Sequence, residues 1–122
     1  MKKVFYYTDA LPFLSKERQA IDKLQRNLEI FKEARDNIRL VWHPWSKTEE
    51  YLRRNNCAVT DEYLAILRSF CEESWGDLDE TDNYDDAKEV LLTCDAYYGD
   101  SSDMVYDAQN AKMPVMLQNI EV

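Results

Sequence analysis

Three stretches of this sequence carry side chains that can do chemistry, and the first contains the chain's only histidine. His43 follows directly on the apolar run Ile38–Trp42. A histidine in that place can donate a hydrogen bond to a phosphate, or act as an acid or a base near neutral pH. The alternative is a structural role, in which the imidazole packs between Trp42 and Trp45 and stabilises a loop.

The second stretch is Gly99–Asp103, which joins a predicted strand to a predicted helix. Free backbone N–H groups at the start of that helix, with the hydroxyls of Ser101 and Ser102 beside them, can hold a phosphate. Asp and Ser are also favoured capping residues, so the same residues suit an ordinary helix start. Asp103 counts against an anion, because a carboxylate in the first turn competes for the positive end of the helix.

The third stretch is a run of acids between positions 77 and 86, and clustered carboxylates can hold calcium or magnesium. The spacing of a calcium-binding loop is not met, because its sixth position has no glycine and Lys88 stands at the twelfth, where glutamate is required. One histidine and three scattered cysteines do not make a zinc site. We therefore expect a solvated loop ahead of a helix, and we predict neither a metal nor another cofactor.

Composition places the chain among globular proteins and limits its partners. The 122 residues are 45% hydrophobic and 32% charged, which is typical of one domain. The net charge of −9 argues against nucleic acids and anionic membranes as partners, because both are polyanions. No apolar stretch approaches the roughly 18 residues that cross a bilayer. The cysteines Cys57, Cys71 and Cys94 form no CxxC pair, so we expect reduced, buried thiols and a cytoplasmic location.

Strands and helices are predicted to alternate along the chain. Short apolar runs predict strands at 4–7, 38–42, 96–98 and 115–117, and the segment 77–79, which reads Asp-Leu-Asp, is a candidate for a fifth. Apolar residues at helical spacing predict the helices between them, at about 16–35, 47–54, 61–75, 84–93 and 102–111. Ser15, the pair Ser46 and Glu49, and Thr60 are expected to cap helix starts, and Gly76 a helix end.

This alternation predicts an α/β fold in which residues 1–122 form a single domain. The expected architecture is a doubly wound, mainly parallel, Rossmann-like three-layer sandwich with about five strands. Ligands of such folds bind beyond the carboxyl ends of the strands, here at 8–9, 43–45, 79–82, 99–103 and 118–119. A response-regulator receiver is set aside, because Gln118 and Asn119 stand where it needs a lysine and Asp9 stands alone after the first strand.

Three segments occur in an order that is familiar from a known family. They are Trp42-His43-Pro44 after a strand, the segment 95–102 that reads Asp-Ala-Tyr-Tyr-Gly-Asp-Ser-Ser, and 113–116, which reads Met-Pro-Val-Met. In this order they resemble the nucleotide-binding half of CDP-glycerol glycerophosphotransferases, which have the two-domain glycosyltransferase B architecture. Uncharacterised bacterial proteins with Trp-Gly before an acidic loop and a Tyr-Tyr-Gly-Asp segment look closer still.

The resemblance implies roles for individual residues. His43 would be the catalytic residue in the active-site cleft. Ser102 would face the diphosphate, with Asp100 and Ser101 as further ligand-binding residues, and Asp107 would reach the ribose or a sugar-like group. The function implied is binding of a CDP- or UDP-linked donor, with glycerophosphate or glycosyl transfer once an acceptor-domain protein or a second copy of the chain completes the cleft.

Two other functions remain open. The first is a non-catalytic interaction module of the same fold with a decayed nucleotide site, which Asp103 and the net charge of −9 favour. It would bind a partner, or form a homodimer, through an aromatic patch. The second is a small hydrolase or phosphotransferase, for which the sequence offers no nucleophile set against a base.

Overall fold

The computed structural model describes residues 1–118, which form one five-stranded sheet. The strands are β1 (Lys2–Thr8), β2 (Ile38–Pro44), β3 (Gly76–Leu78), β4 (Ala96–Gly99) and β5 (Val115–Leu117). The helices are α1 (Leu11–Lys16), α2 (Arg18–Glu33), α3 (Thr48–Arg54), α4 (Thr60–Glu72), α5 (Tyr84–Leu92) and α6 (Met104–Asn110). All neighbouring strands are parallel, in the order β3-β2-β1-β4-β5.

The helices cover both faces of the sheet, which confirms the predicted three-layer α/β sandwich. Side chains of α1 to α4 pack with Tyr6 and Trp42 in one core, whereas side chains of α5 and α6 pack with Phe5 and Tyr97 in the other. Because both faces are covered, β1 and β2 are continuous apolar runs rather than alternating ones. None of the helices within residues 1–118 is long and apolar enough to cross a bilayer.

Buried polar atoms in the core are paired. Trp42 is fully buried, and its indole Nε1 donates to Thr8 Oγ1 at 3.0 Å, which joins the carboxyl ends of β2 and β1. The rings of Tyr63 and Phe70, both on α4, contact the Trp42 ring edge-on. Trp42 thus anchors α4 to the centre of the sheet and fixes the end of β2 beside that of β1.

The expected helix caps at Ser15, Ser46 and Thr60 are wrong. Ser15 lies inside α1, where its hydroxyl donates to the Leu11 carbonyl at 3.1 Å. No side chain caps α3, which begins two residues after Ser46. Thr60 is the first residue of α4, and its hydroxyl donates to the Cys57 carbonyl at 2.8 Å instead of accepting from a backbone N–H. Ser and Thr hydroxyls serve equally as donors to nearby carbonyls, so residue type alone does not identify a cap.

Gly76 does not end a helix, because α4 stops at Glu72 and Gly76 opens β3. A Cβ at Gly76 would lie 2.8 Å from Phe70 Cζ, so the glycine lets β3 pass close to α4.

The expectation of buried thiols holds for Cys94, whereas Cys57 is partly exposed and Cys71 is exposed.

Gly99 at the end of β4 allows the sheet to form at its carboxyl edge. Its φ of 128° is one that L side chains rarely adopt, and a Cβ there would lie 2.1 Å from the Tyr7 carbonyl oxygen. The pairing of Tyr7 with Gly99 therefore needs a residue without a side chain.

Replacing Gly99 with alanine should lower the free energy of unfolding by about 3 kcal/mol or more, because the clash forces β4 away from β1. Urea denaturation measures the loss. Ser101→Ala, at an exposed position two residues on, is the control and should stay within about 0.5 kcal/mol of the wild type. Equal stability of the two variants would contradict this backbone geometry.

Candidate functional site

The carboxyl ends of all five strands meet at one edge of the sheet, because the strands are parallel. In β1, Tyr7 pairs with His43 on one side and with Gly99 on the other. Asp79 follows β3, and its backbone N–H donates to the Trp42 carbonyl at 2.8 Å. The edge that sequence reasoning selected is therefore the edge where polar side chains converge. Its last position, Asn119, lies outside the described residues.

His43 and Asp79 form a buried pair at this edge. Nδ1 of His43 lies 2.8 Å from Oδ2 of Asp79, and the two side chains are only 7% and 12% exposed. Thr81 Oγ1 donates to the same carboxylate oxygen at 2.9 Å. A carboxylate only accepts, so Nδ1 carries the proton and Nε2 is the acceptor when the imidazole is neutral.

The aromatic neighbours of His43 differ from the expected ones. Its ring stacks on those of Phe5 and Tyr7, with centroids 5.3 and 5.9 Å away, and does not lie between Trp42 and Trp45. Phe5 and Tyr7 hold the plane of the imidazole while Asp79 holds its tautomer. The protein therefore fixes both the plane and the tautomer of the ring.

A cavity of about 330 Å³ lies in front of this histidine. It is bounded by the ends of β1 and β2, the loop before α5 and the start of α6. Its lining combines aromatic rings, hydroxyls and carboxylates, and includes Tyr7, His43, Trp45, Ser46, Thr81, Asp82, Tyr84, Ser102 and Asp103. Because Nδ1 is occupied by Asp79, Nε2 is the His43 nitrogen that remains for this cavity.

The electrostatics of the lining are unusual for an anion site. Two exposed carboxylates, Asp82 and Asp103, face the cavity, and no lysine or arginine lines it within the described part of the chain. A protonated His43 is then the cation nearest to a bound ligand. The cavity accordingly suits ligands that combine hydroxyls and a ring with little net negative charge, or an anion that His43 can neutralise.

Ser102 is tied to Tyr97 at the cavity wall. The Tyr97 hydroxyl donates to the Asp100 carbonyl and lies 2.9 Å from Ser102 Oγ. Burial raises the pKa of Tyr97 to about 12, so the phenol keeps its proton. The Tyr97 hydroxyl has one proton and donates it to the Asp100 carbonyl. The Ser102 hydroxyl therefore donates to the Tyr97 oxygen, and the lone pairs of Ser102 Oγ remain available to the cavity.

Asp100 joins three strands rather than lining the cavity. Its Oδ2 accepts from the Asp9 backbone N–H at 2.7 Å, and its Oδ1 accepts from Gln118 Nε2 at 2.9 Å. Burial raises the pKa of this carboxyl above its usual range. Gln118 in turn accepts from Asn27 Nδ2 at 2.8 Å, which extends the network to α2.

Asp107 and Ser101 also lie apart from His43. Asp107 accepts a hydrogen bond from the Tyr84 hydroxyl and lies 3.5 Å from Lys88 Nζ, so it links α6 to α5. Ser101 is exposed. Of the five side chains that the sequence selects, the structure brings His43 and Ser102 together in one cavity and gives Asp100 and Asp107 structural partners.

The sequence places Asp79 and Thr81 in the segment 79–82 at the expected ligand-binding edge but assigns neither of them a role, and it does not select Tyr84. Asp79 was one of several acids in a run, and only its nearly complete burial beside His43 distinguishes it. The available signal was positional, since a residue that ends a strand next to β2 must lie near His43. Within residues 1–118, no group of three or more His, Cys, Asp or Glu side chains is placed to hold a metal ion.

Comparison of the chain with models of protein families, with curated proteins and with solved structures gives no match.

The raised pKa of Asp100 predicts a specific pH dependence of stability. An unfolded chain releases the Asp100 proton near pH 4, whereas the folded chain holds it to higher pH. The contribution of Asp100 to the free energy of unfolding therefore declines as pH rises from about 4 through the folded-state pKa.

Asp100→Asn, which has no proton to lose, should show no such decline. Urea denaturation of both proteins between pH 4 and 7 measures the difference in stability. The free energy of unfolding of the wild type minus that of the variant should be largest near pH 4 and should decrease as pH rises. The opposite slope would mean that Asp100 is better stabilised as a carboxylate than its burial implies.

Proposed function

We propose that this chain binds a nucleotide-diphosphate-linked donor, such as a CDP- or UDP-linked compound, in the cavity lined by His43 and Ser102. The observation that carries the proposal is that these two residues, which the family resemblance assigns to the active site and the diphosphate, line one cavity at the carboxyl edge of a doubly wound sheet. Ligands of such sheets bind at this edge. The volume of about 330 Å³ lies within the range of small-molecule sites.

His43 would bind the diphosphate as an imidazolium. With Nδ1 held by the Asp79 carboxylate, a proton on Nε2 would be donated into the cavity, and such charge-assisted hydrogen bonds to phosphate are short and strong. Asp79 stabilises the positive charge that this role needs. A neutral imidazole has no proton on Nε2 when Nδ1 carries one, so this hydrogen bond needs the second proton of the imidazolium.

Ser102 would contribute a neutral donor. Its hydroxyl can turn from Tyr97, 2.9 Å away, toward a phosphate oxygen, while Tyr97 keeps its own hydrogen bond to the Asp100 carbonyl. The exchange replaces one hydrogen bond with a stronger one to a charged acceptor. Asp103 opposes binding by repulsion, which predicts a modest rather than a tight affinity.

Transfer chemistry would need a second body. An acceptor wall that excludes water and orients the attacking hydroxyl has to complete the cavity before a donor can react efficiently. We propose that an acceptor domain, or a second copy of the chain, supplies it. There His43, which lines the cavity, would exchange a proton with the reacting groups.

An interaction module with a decayed nucleotide site is the alternative, and two observations favour it. The cavity lining contains two carboxylates and, in the described residues, no lysine or arginine. Elsewhere, at the open edge of the sheet, Ile30, Met116 and Leu117 are 55%, 66% and 49% exposed. A module of this kind would not bind CDP and would self-associate or bind a partner through that apolar edge.

Ser102→Asp should weaken CDP binding at least tenfold, because the new carboxylate would lie where the diphosphate oxygens must approach. Isothermal titration calorimetry at pH 6.5 measures the change. His43→Gln, which keeps polarity but removes the charge, should reduce affinity to a similar degree.

Ser101→Asp is the matched control, since it makes the same charge change one residue away at an exposed position outside the lining. It should bind CDP within about twofold of the wild type, because exposed charges are strongly screened. Equal losses in the two aspartate variants would point to bulk repulsion, and no binding by the wild type would favour the interaction module.

A further inference from the structure

Tyr84 is the most exposed aromatic ring in the wall of the cavity. It is 46% exposed, whereas Tyr7 is 8% exposed and stacks on His43. Trp45, the other large ring of the lining, packs edge-on against Tyr51 with centroids 5.9 Å apart. Tyr84 is thus the aromatic ring of the lining that the rest of the protein covers least.

The position of Tyr84 is fixed from its hydroxyl end. It is the first residue of α5, while the cap of that helix is supplied by Asn83, whose side chain accepts from the Asp86 N–H at 2.9 Å. The Tyr84 hydroxyl donates to Asp107 on α6, a carboxylate only 14% exposed that also lies 3.5 Å from Lys88 Nζ. The hydrogen bond to Asp107 raises the pKa of Tyr84 to about 12, so the phenol remains a donor.

We propose that Tyr84 is the stacking platform for the nucleobase of the bound donor, and that Asp107 is a positioning residue that holds this platform in place. The inference rests on the proposed function, which puts the diphosphate at His43 and Ser102 on the same cavity. An anchored, half-exposed ring beside a phosphate site presents a flat apolar surface to a base. Base–aromatic stacking contributes substantially to binding and tolerates different bases, because every base has a π face.

The proposal changes the role that the sequence suggests for Asp107. The family resemblance assigns this acid to a hydroxyl of the ligand, but in the structure a phenol of the protein already occupies one of its oxygens. Asp107 then affects the ligand through Tyr84. Its loss should weaken binding of ligands that carry a base and leave ligands without a base unaffected.

The test compares CDP with inorganic pyrophosphate, which shares the diphosphate but lacks the base. Titration calorimetry is carried out on the wild type, Tyr84→Ala, Tyr84→Phe and Asp107→Ala. Tyr106→Ala is the matched control, because Tyr106 is 68% exposed on α6 and does not line the cavity. Thermal unfolding of each variant confirms that the fold is retained.

Tyr84→Ala should weaken CDP about tenfold or more and leave pyrophosphate within about twofold. Tyr84→Phe keeps the ring and should retain most of the CDP affinity. Asp107→Ala should give an intermediate loss for CDP alone, and Tyr106→Ala should change neither ligand.

If Tyr84→Ala binds CDP as tightly as the wild type, or loses affinity for CDP and pyrophosphate equally, Tyr84 is not a stacking platform. Either result leaves the proposed diphosphate site unaffected. If the wild type binds neither ligand, the proposed function fails and the platform fails with it. The two failures are therefore distinguishable from one set of titrations.

Discussion

The parallel pairing of β1 with strands on both of its sides is the constraint from which the site follows. Tyr7 lies opposite His43 in β2 and opposite Gly99 in β4, so the residues that end three strands are brought to one edge. The chain passes over one face of the sheet to form β2 and β3, and over the other to form β4 and β5. The approach of β4 to Tyr7 is close enough that only glycine is accommodated at position 99. His43 and Ser102 share a cavity because β2 and β4, the strands that carry His43 and lead to Ser102, both end beside Tyr7 of β1.

The chemistry of the cavity is a balance between one histidine and several carboxylates. Asp79 is buried and paired with Nδ1, so it supports a positive charge on His43. Asp82 and Asp103 are exposed and unfavourable to an anion, although solvent screens them. Hydroxyls and aromatic rings supply the remaining contacts, and these are the groups that bind sugars and bases. This balance is consistent with the proposed donor, which combines a ring, hydroxyls and a diphosphate.

The sequence was sufficient for the fold and for the edge of the sheet, and insufficient for most of the site. Apolar runs such as 4–7 and 38–42 predict buried parallel strands because both faces of the sheet are covered. Caps failed at Ser15 and Thr60 because a hydroxyl that donates to a carbonyl has the same sequence signature as one that accepts. Asp79 is one of several neighbouring acids, and nothing in the local sequence distinguishes it. Asp107 and Tyr84 are 23 residues apart on two different helices, so no local pattern predicts their hydrogen bond.

The proposed binding of a diphosphate depends most on His43, whose Nδ1 is paired with Asp79 and whose Nε2 is left for the cavity, and the chain's single histidine allows a direct measurement. The ¹⁵N chemical shifts of the two imidazole nitrogens, recorded at pH 8.5 and pH 6.5 with and without CDP, report which nitrogen carries a proton and which one senses the ligand. The account predicts that the neutral imidazole carries its proton on Nδ1, and that CDP changes the shift of Nε2 more than that of Nδ1. A neutral imidazole with its proton on Nε2, or imidazole shifts that ignore saturating CDP, would contradict it.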